Sequence, residues 1–137
     1  NNGYCSDMTR TVVVGEASQK QREIYNIVLE AQVAGVKAAK AGMRACDLDK
    51  IARDIIEGYG YGKEFGHELG HSLGIKCHER PWLGDYEHMV LQPGMFVTVE
   101  PGIYILDWGG VRIEDLIMIQ EDGCLNLTHT NKDLIIL

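Results

Sequence analysis

The sequence predicts an α+β fold in which two helices lie on one face of a mainly antiparallel sheet. Apolar residues recur at helical spacing twice in the first half, and the second half passes into short extended runs divided by glycine-containing turns. At 137 residues the chain allows one domain and hardly a second.

The elements follow in chain order. From Gly3 to Gly15 a β-branched run closed by glycine reads as a strand carrying Asp7. Ser18 followed by Gln21 forms a capping-box signal, and Ile24, Ile27, Val28 and Ala31 recur at helical spacing, so a helix is expected over 19–41, ended by Gly42. Leu48, Ile51, Ala52, Ile55 and Ile56 repeat the stripe, which stops at Gly58. Beyond Phe65 the chain reads as strand. Val90-Leu91, Phe96-Val97-Thr98-Val99-Glu100 and Ile103-Tyr104-Ile105-Leu106 are extended runs, and a single run over 111–119 is expected to pair across Asp107-Trp108-Gly109-Gly110 as a hairpin.

Composition narrows the function. Hydrophobic residues at 45% and charged residues at 24% give an ordinary globular balance. The net charge of −7 repels phosphate backbones and anionic membrane surfaces, so neither nucleic acid nor a membrane is an expected partner. No apolar run approaches the roughly 20 residues of a membrane span, and no export signal opens the chain. Cys5, Cys46, Cys77 and Cys124 are scattered, without a CxxC pair, and read as reduced thiols in a cytoplasmic protein. Twelve of the sixteen glycines, together with His67, His71 and His78, lie between Gly58 and Gly123, which marks that stretch as the chemical end.

His67-Glu68-Leu69-Gly70-His71 matches HExxH, the helical zinc-protease motif. Gly66, Gly70 and Gly74 argue against a helix there, each costing about 1 kcal/mol relative to Ala. A better constellation is Asp7, His71 in a glycine-rich turn, Glu100 and Glu114. The three carboxylates lie in or beside apolar strands, where an unpaired charge is expensive to bury, and with one imidazole they suit Mn²⁺, Fe²⁺, Co²⁺ or Zn²⁺. Taken singly, each carboxylate could equally face solvent or pair with Arg10 or Arg112.

Four stretches in order carry a resemblance: Ser6-Asp7-Met8-Thr9-Arg10-Thr11; Gly70-His71-Ser72-Leu73-Gly74 with His78-Glu79-Arg80-Pro81; Leu91-Gln92-Pro93-Gly94-Met95 leading into Thr98-Val99-Glu100-Pro101-Gly102-Ile103-Tyr104; and Arg112-Ile113-Glu114-Asp115. From Tyr4 to about Asn126 the chain resembles the pita-bread metallopeptidases, in their Xaa-Pro aminopeptidase and prolidase branch. The resemblance implies the C-terminal part of a pita-bread fold, with a curved sheet, and a site for two divalent ions, Mn²⁺ first and Co²⁺, Zn²⁺ or Fe²⁺ as alternatives. It implies that Asp7 and Glu114 bridge the ions and that His71 and Glu100 are terminal ligands of one of them. Glu100 would also carry the proton from nucleophile to leaving nitrogen. His67 and His78 would contact substrate and the tetrahedral intermediate, and Arg112 would orient a ligand carboxylate from outside the ligand set. The implied reaction is hydrolysis of an N-terminal Xaa-Pro bond in a proline-containing peptide. The alternatives are a methionine aminopeptidase and a non-catalytic peptide-binding relative. Glu68 falls where the family is variable and is expected to be dispensable.

The resemblance departs at one point. The family's DxG aspartate lies about a dozen residues upstream of the position matched by Asp7, outside this sequence. Residues 1–137 are therefore expected to be a partial catalytic domain, holding at most one ion well, inactive alone and prone to self-association as a homo-oligomer.

Overall fold

The computed structural model describes residues 2–137. β1 is Val12–Val13, α1 Gln19–Ala38, α2 Ala45–Gly58, β2 Gly70–Ser72, β3 Glu79–Leu83, β4 Phe96–Val99, β5 Gly102–Ile105, β6 Gly109–Arg112, β7 Asp115–Gln120, β8 Gly123–Asn126 and β9 Ile135–Ile136. A main sheet runs in the order β3-β2-β4-β7-β8, antiparallel throughout. A β5–β6 hairpin and a parallel β1–β9 pair stand beside it. The expected α+β architecture, two helices with antiparallel sheets, is therefore present.

α1 begins on the expected capping box: the Ser18 hydroxyl accepts the Gln21 N–H, and the Gln21 side chain accepts the Ser18 N–H. Its buried stripe includes Ile24, Val28, Ala31 and Gly35. A Cβ at Gly35 would stand 3.0 Å from Val99 Cγ1, so the glycine lets α1 approach β4. The helix ends at Ala38, earlier than expected. The Ala41 and Gly42 N–H groups donate instead to the carbonyls of Gln120 and Leu91, so tertiary bonds replace the last helical turn.

α2 carries an anchor for the site. Asp49 is buried and accepts two hydrogen bonds from Arg53, at 2.7 and 2.8 Å, and one from the Leu69 N–H at 3.0 Å. Arg53 donates further to the carbonyls of Phe65 and His67. This i, i+4 pair pins the segment entering β2, and with it the approach to His71. Below it Leu48, Ile56, Phe65, Leu69, Leu83 and Val97 close the core, each at most 1% exposed.

Three expectations are corrected. The 3–15 segment is not one strand: only Val12–Val13 pairs in a named strand, Thr9 forms an isolated bridge with Glu114, and Asp7 lies in irregular chain. Its backbone bonds go to separate elements, with Cys5 N–H donating to Gly74 O while Thr9 O accepts from Glu114, so no continuous ladder forms. His71 sits on β2 and not in a turn, because Gly70 is needed for close packing rather than for turning: a Cβ there would collide with the Thr98 carbonyl on β4. The 111–119 run is two strands. β6 pairs with β5 and β7 with β4, and Glu114 stands where the chain changes sheets. Among the described residues no helix is long and apolar enough to cross a membrane.

Candidate metal centre

The site forms where β2, the end of β4, the β6–β7 junction and the segment before β1 converge. His71 Nε2 lies 3.2 Å from Glu100 Oε1 and 3.8 Å from Asp7 Oδ2. His71 Nδ1 is 3.1 Å from the Ser72 carbonyl, which only accepts, so Nδ1 carries a proton; Nε2 faces the carboxylates, donating to Glu100 when the ring is charged and offering a lone pair when it is neutral. Buried Thr98 accepts the His71 N–H at 3.0 Å and donates to Glu100 Oε1 at 2.8 Å. Burial opposes protonation of His71, yet hydrogen bonding to Glu100 and Ser72 and the charges of Glu100 and Asp7 raise its pKa. Burial alone would raise Glu100, but the His71 and Thr98 hydrogen bonds, with the charges of His71 and Arg112, hold it below the usual carboxylate value.

Glu114 is buried, and its Oε1 has no hydrogen-bond partner among the described residues. Its other oxygen accepts from Thr9 Oγ1 at 2.5 Å. Burial pushes the carboxyl up to about 7; Glu100 and Asp7 add to the rise, while Thr9 and Arg112 oppose it. Arg112 reaches Glu114 through Thr9: Nε donates to Thr9 Oγ1 at 3.2 Å, and another guanidinium nitrogen to the Tyr104 hydroxyl at 3.3 Å. Arg10 holds the backbone of Glu114 and the side chain of the next residue, donating to the Glu114 carbonyl and, at 2.7 Å, to Asp115 Oδ1.

The donor set fits a divalent cation. A buried carboxylate oxygen without a donor, two further carboxylates and an imidazole lone pair together lack a positive charge, and hard or borderline divalent ions take such ligands. The side chains stand in hydrogen-bonded positions: among the described residues no group of three or more His, Cys, Asp or Glu is drawn round a common metal-holding point.

A cavity of about 210 Å³ opens on this set, lined by His67, Glu68, Gly70, His71, His78, Trp82, Glu100 and Arg112. His67 Nδ1 is 2.7 Å from the Glu68 carbonyl, which leaves Nε2 as a buried lone pair without a partner among the described residues, and the ring packs near Phe65 and Tyr104. His78 is exposed, its ring 4.3 Å from that of His71. Glu68 accepts a hydrogen bond from Tyr86 at 2.8 Å, which pushes the Tyr86 hydroxyl up to about 12, and residues 67–71 form no helix, so the zinc-protease reading of HExxH has no support. Cys77, exposed, donates to Asp7 Oδ2 at 3.4 Å.

Sequence reading missed Thr9, Thr98 and Trp82. A polar residue at 98 inside an apolar strand run was a usable signal. The roles of Thr9 and Trp82 depend on pairings across 105 and 11 residues, and the local sequence bears no mark of them.

The chain matches the model of metallopeptidase family M24 over residues 1–121. It is 56% identical over 134 residues to the Xaa-Pro dipeptidase of Pyrococcus furiosus, covering 98% of this chain and 38% of that relative. Among solved structures it is similar to the Xaa-Pro dipeptidase from Bacillus anthracis, with a TM-score of 0.97 at 55% identity over 98% of this chain and 38% of that one. It is also similar to the X-Pro aminopeptidase from Thermotoga maritima, with a TM-score of 0.96 at 41% identity over 98% of this chain and 38% of that one. The chain thus spans about 38% of the length of these relatives.

Proposed function

Since the chain belongs to metallopeptidase family M24, we propose that it carries most of the metal-binding set of a peptidase that hydrolyses the N-terminal Xaa-Pro bond of proline-containing peptides. The observation that carries this reading is the meeting of Asp7 and Glu100 at His71 Nε2, beside a buried Glu114 whose Oε1 lacks a donor. The substrate class is taken from the relatives whose names specify Xaa-Pro.

In this reading Asp7, Glu114, His71 and Glu100 would hold the divalent ions, the first two as carboxylates shared between ions and the last two as ligands of one. Mn²⁺ is proposed first, with Co²⁺, Zn²⁺ and Fe²⁺ as alternatives, since carboxylate-rich sites accept several. The ions supply a Lewis acid for the scissile carbonyl and lower the pKa of water enough for attack at neutral pH. The remaining work belongs to the chain. Glu100, held by the Thr98 hydroxyl, accepts the proton of the nucleophile and passes it to the leaving nitrogen. That nitrogen is the tertiary amide of proline, which carries no hydrogen and leaves only after protonation. His67 and His78 line the cavity, where the His67 lone pair accepts from substrate and both rings orient the scissile unit. Arg112 fixes Glu114 through Thr9.

The same reading includes a partial catalytic domain over 1–137, which the 38% share of the relatives' length supports, a cytoplasmic protein with reduced thiols, and self-association. Exposed Val14, Leu106 and Leu137, each at least 70% exposed, support the last, and light scattering tests it.

The test of function uses the full-length protein. Release of Leu from Leu-Pro peptides is expected to exceed release of Met from Met-Ala, and a chelator to abolish it. Glu100→Ala is expected to remove activity and Glu68→Ala to preserve it; the reverse pattern sinks the assignment of roles.

A further inference from the structure

Trp82 contributes the one indole among the side chains that line the cavity around His71 and Glu100. Every other lining side chain is an imidazole, a carboxylate or a guanidinium, apart from Gly70. Register puts Trp82 there: on β3 it lies directly opposite His71 on β2, and directly opposed residues of antiparallel strands project to the same face. The indole meets His71 edge-on with centroids 5.7 Å apart, and lies within 20° of parallel to His78 at 6.0 Å. The His71 and His78 rings are themselves 4.3 Å apart, so the indole continues an aromatic wall that begins at a candidate ligand. Trp82 is part-buried and retains surface for a ligand.

We propose that Trp82 determines specificity at this site by presenting its indole to the pyrrolidine ring of the proline that follows the scissile bond. The proposal rests on the Xaa-Pro reading above. Pyrrolidine is rigid and apolar, loses little entropy on binding, and proline-bearing peptides dock on aromatic-lined grooves. The electron-rich face of an indole also suits the polarised C–H groups beside the amide nitrogen. Trp82 bears no charge and bonds to no reacting atom. Its effect is discrimination between a closed ring and an open chain at the same position.

The experiment compares kcat/KM of the full-length enzyme for Leu-Pro and for Leu-N-methylalanine. Both share the ammonium, the carboxylate and a tertiary amide nitrogen, and only Leu-Pro has the ring. Trp82→Ala is expected to lower kcat/KM for Leu-Pro by roughly tenfold and to leave the open-chain substrate nearly unchanged. Trp82→Phe is expected to keep most of the preference. An unchanged preference in Trp82→Ala overturns the proposal. So does an equal fall on both substrates, which is what a structural role, or a contact to the ammonium, would produce. If Trp82→Ala does not fold, Trp82→Leu gives the same comparison, with loss of preference expected and its retention counting against an aromatic platform. A wild-type enzyme that cleaves Met-Ala and neither tertiary amide overturns the Xaa-Pro reading itself and this proposal with it, a result distinct from the others.

Discussion

Thr98 Oγ1 donates to Glu100 Oε1 at 2.8 Å, and the same oxygen accepts the His71 backbone N–H at 3.0 Å. One fully buried hydroxyl thus joins a candidate base to the strand that carries a candidate ligand, across the β2–β4 seam where Ser72 pairs with Val97. Its donor is spent on the carboxylate and its lone pair on the amide, so the two strands hold the pair at one separation.

Thr98→Val keeps the shape of the side chain and removes both bonds. It leaves the His71 N–H and one Glu100 oxygen short of a partner, at a cost of about 1–3 kcal/mol of stability. In the full-length protein kcat/KM is expected to fall by roughly 10–100-fold, the range found for partners that orient metal ligands. Thr98→Ser is expected to recover most of it. Steady-state kinetics and chemical denaturation on the three proteins decide the matter, and a fully active Thr98→Val shows that the hydroxyl is not needed.

Thr9 plays the corresponding part for Glu114. Its hydroxyl donates to Glu114 Oε2 at 2.5 Å while accepting from Arg112 at 3.2 Å, so the guanidinium acts on the carboxylate through one oxygen. Thr9→Val is expected to weaken binding of Mn²⁺ to the full-length protein by roughly 10–100-fold by calorimetry, with Thr9→Ser close to wild type. Equal affinity in wild type and Thr9→Val removes Thr9 from the assembly.

What local sequence discloses, and what it does not, divides along the same lines. The capping box at Ser18 and Gln21 is a contact over three residues, and it stands as read. Asp7, His71, Glu100 and Glu114 are named together from carboxylates beside apolar runs and from the family resemblance; the fold brings Asp7 and Glu100 to His71 Nε2, although Asp7 lies in irregular chain. The placement of His71 on β2 is not legible, because Gly70 and Gly74 read as turn residues until the Thr98 carbonyl is seen against Gly70. The break in 111–119 is hidden for a similar reason. Its residues are uniformly strand-forming, and only the different partners of β6 and β7 divide them at Glu114. Trp82 enters the cavity through a cross-strand register with His71 that no period within β3 reveals.

Asp115 ties stability to pH. Its buried carboxylate accepts from Arg10 at 2.7 Å and from Asn126 at 2.7 Å, and pairs with Lys132. Burial alone would raise it, but hydrogen bonds from Lys132, Arg10 and Asn126 hold it below its ordinary value. A carboxyl with a depressed folded-state pKa contributes stability that is complete above its unfolded value of about 3.9 and is lost as pH falls through the folded one. Urea unfolding is therefore expected to show stability falling below about pH 4. Asp115→Asn is expected to be less stable at pH 7 by about 3–5 kcal/mol, since the nearly buried Arg10 and the part-buried Lys132 lose their counter-charge, and to show a shallower fall in acid. Parallel pH curves for the two proteins would remove Asp115 as the source.

Two glycines separate packing at the site from flexibility of the backbone. A Cβ at Gly70 would strike the carbonyl of Thr98, which belongs to the β4 backbone and cannot swing aside as a side-chain tip can. Gly70→Ala therefore has to push β2 from β4 and take His71 away from Glu100, at a cost of about 1–3 kcal/mol or more, together with weaker metal binding. Gly58, the last residue of α2, has open space around its would-be Cβ and a backbone that alanine can adopt. Gly58→Ala is expected to raise stability by up to about 1 kcal/mol through helix propensity and a less flexible unfolded chain, leaving metal affinity alone. Denaturation midpoints and Mn²⁺ titrations of the two variants should move in opposite directions for stability and only with Gly70 for the metal. If Gly70→Ala binds Mn²⁺ like wild type, the β2–β4 approach does not set the geometry of His71.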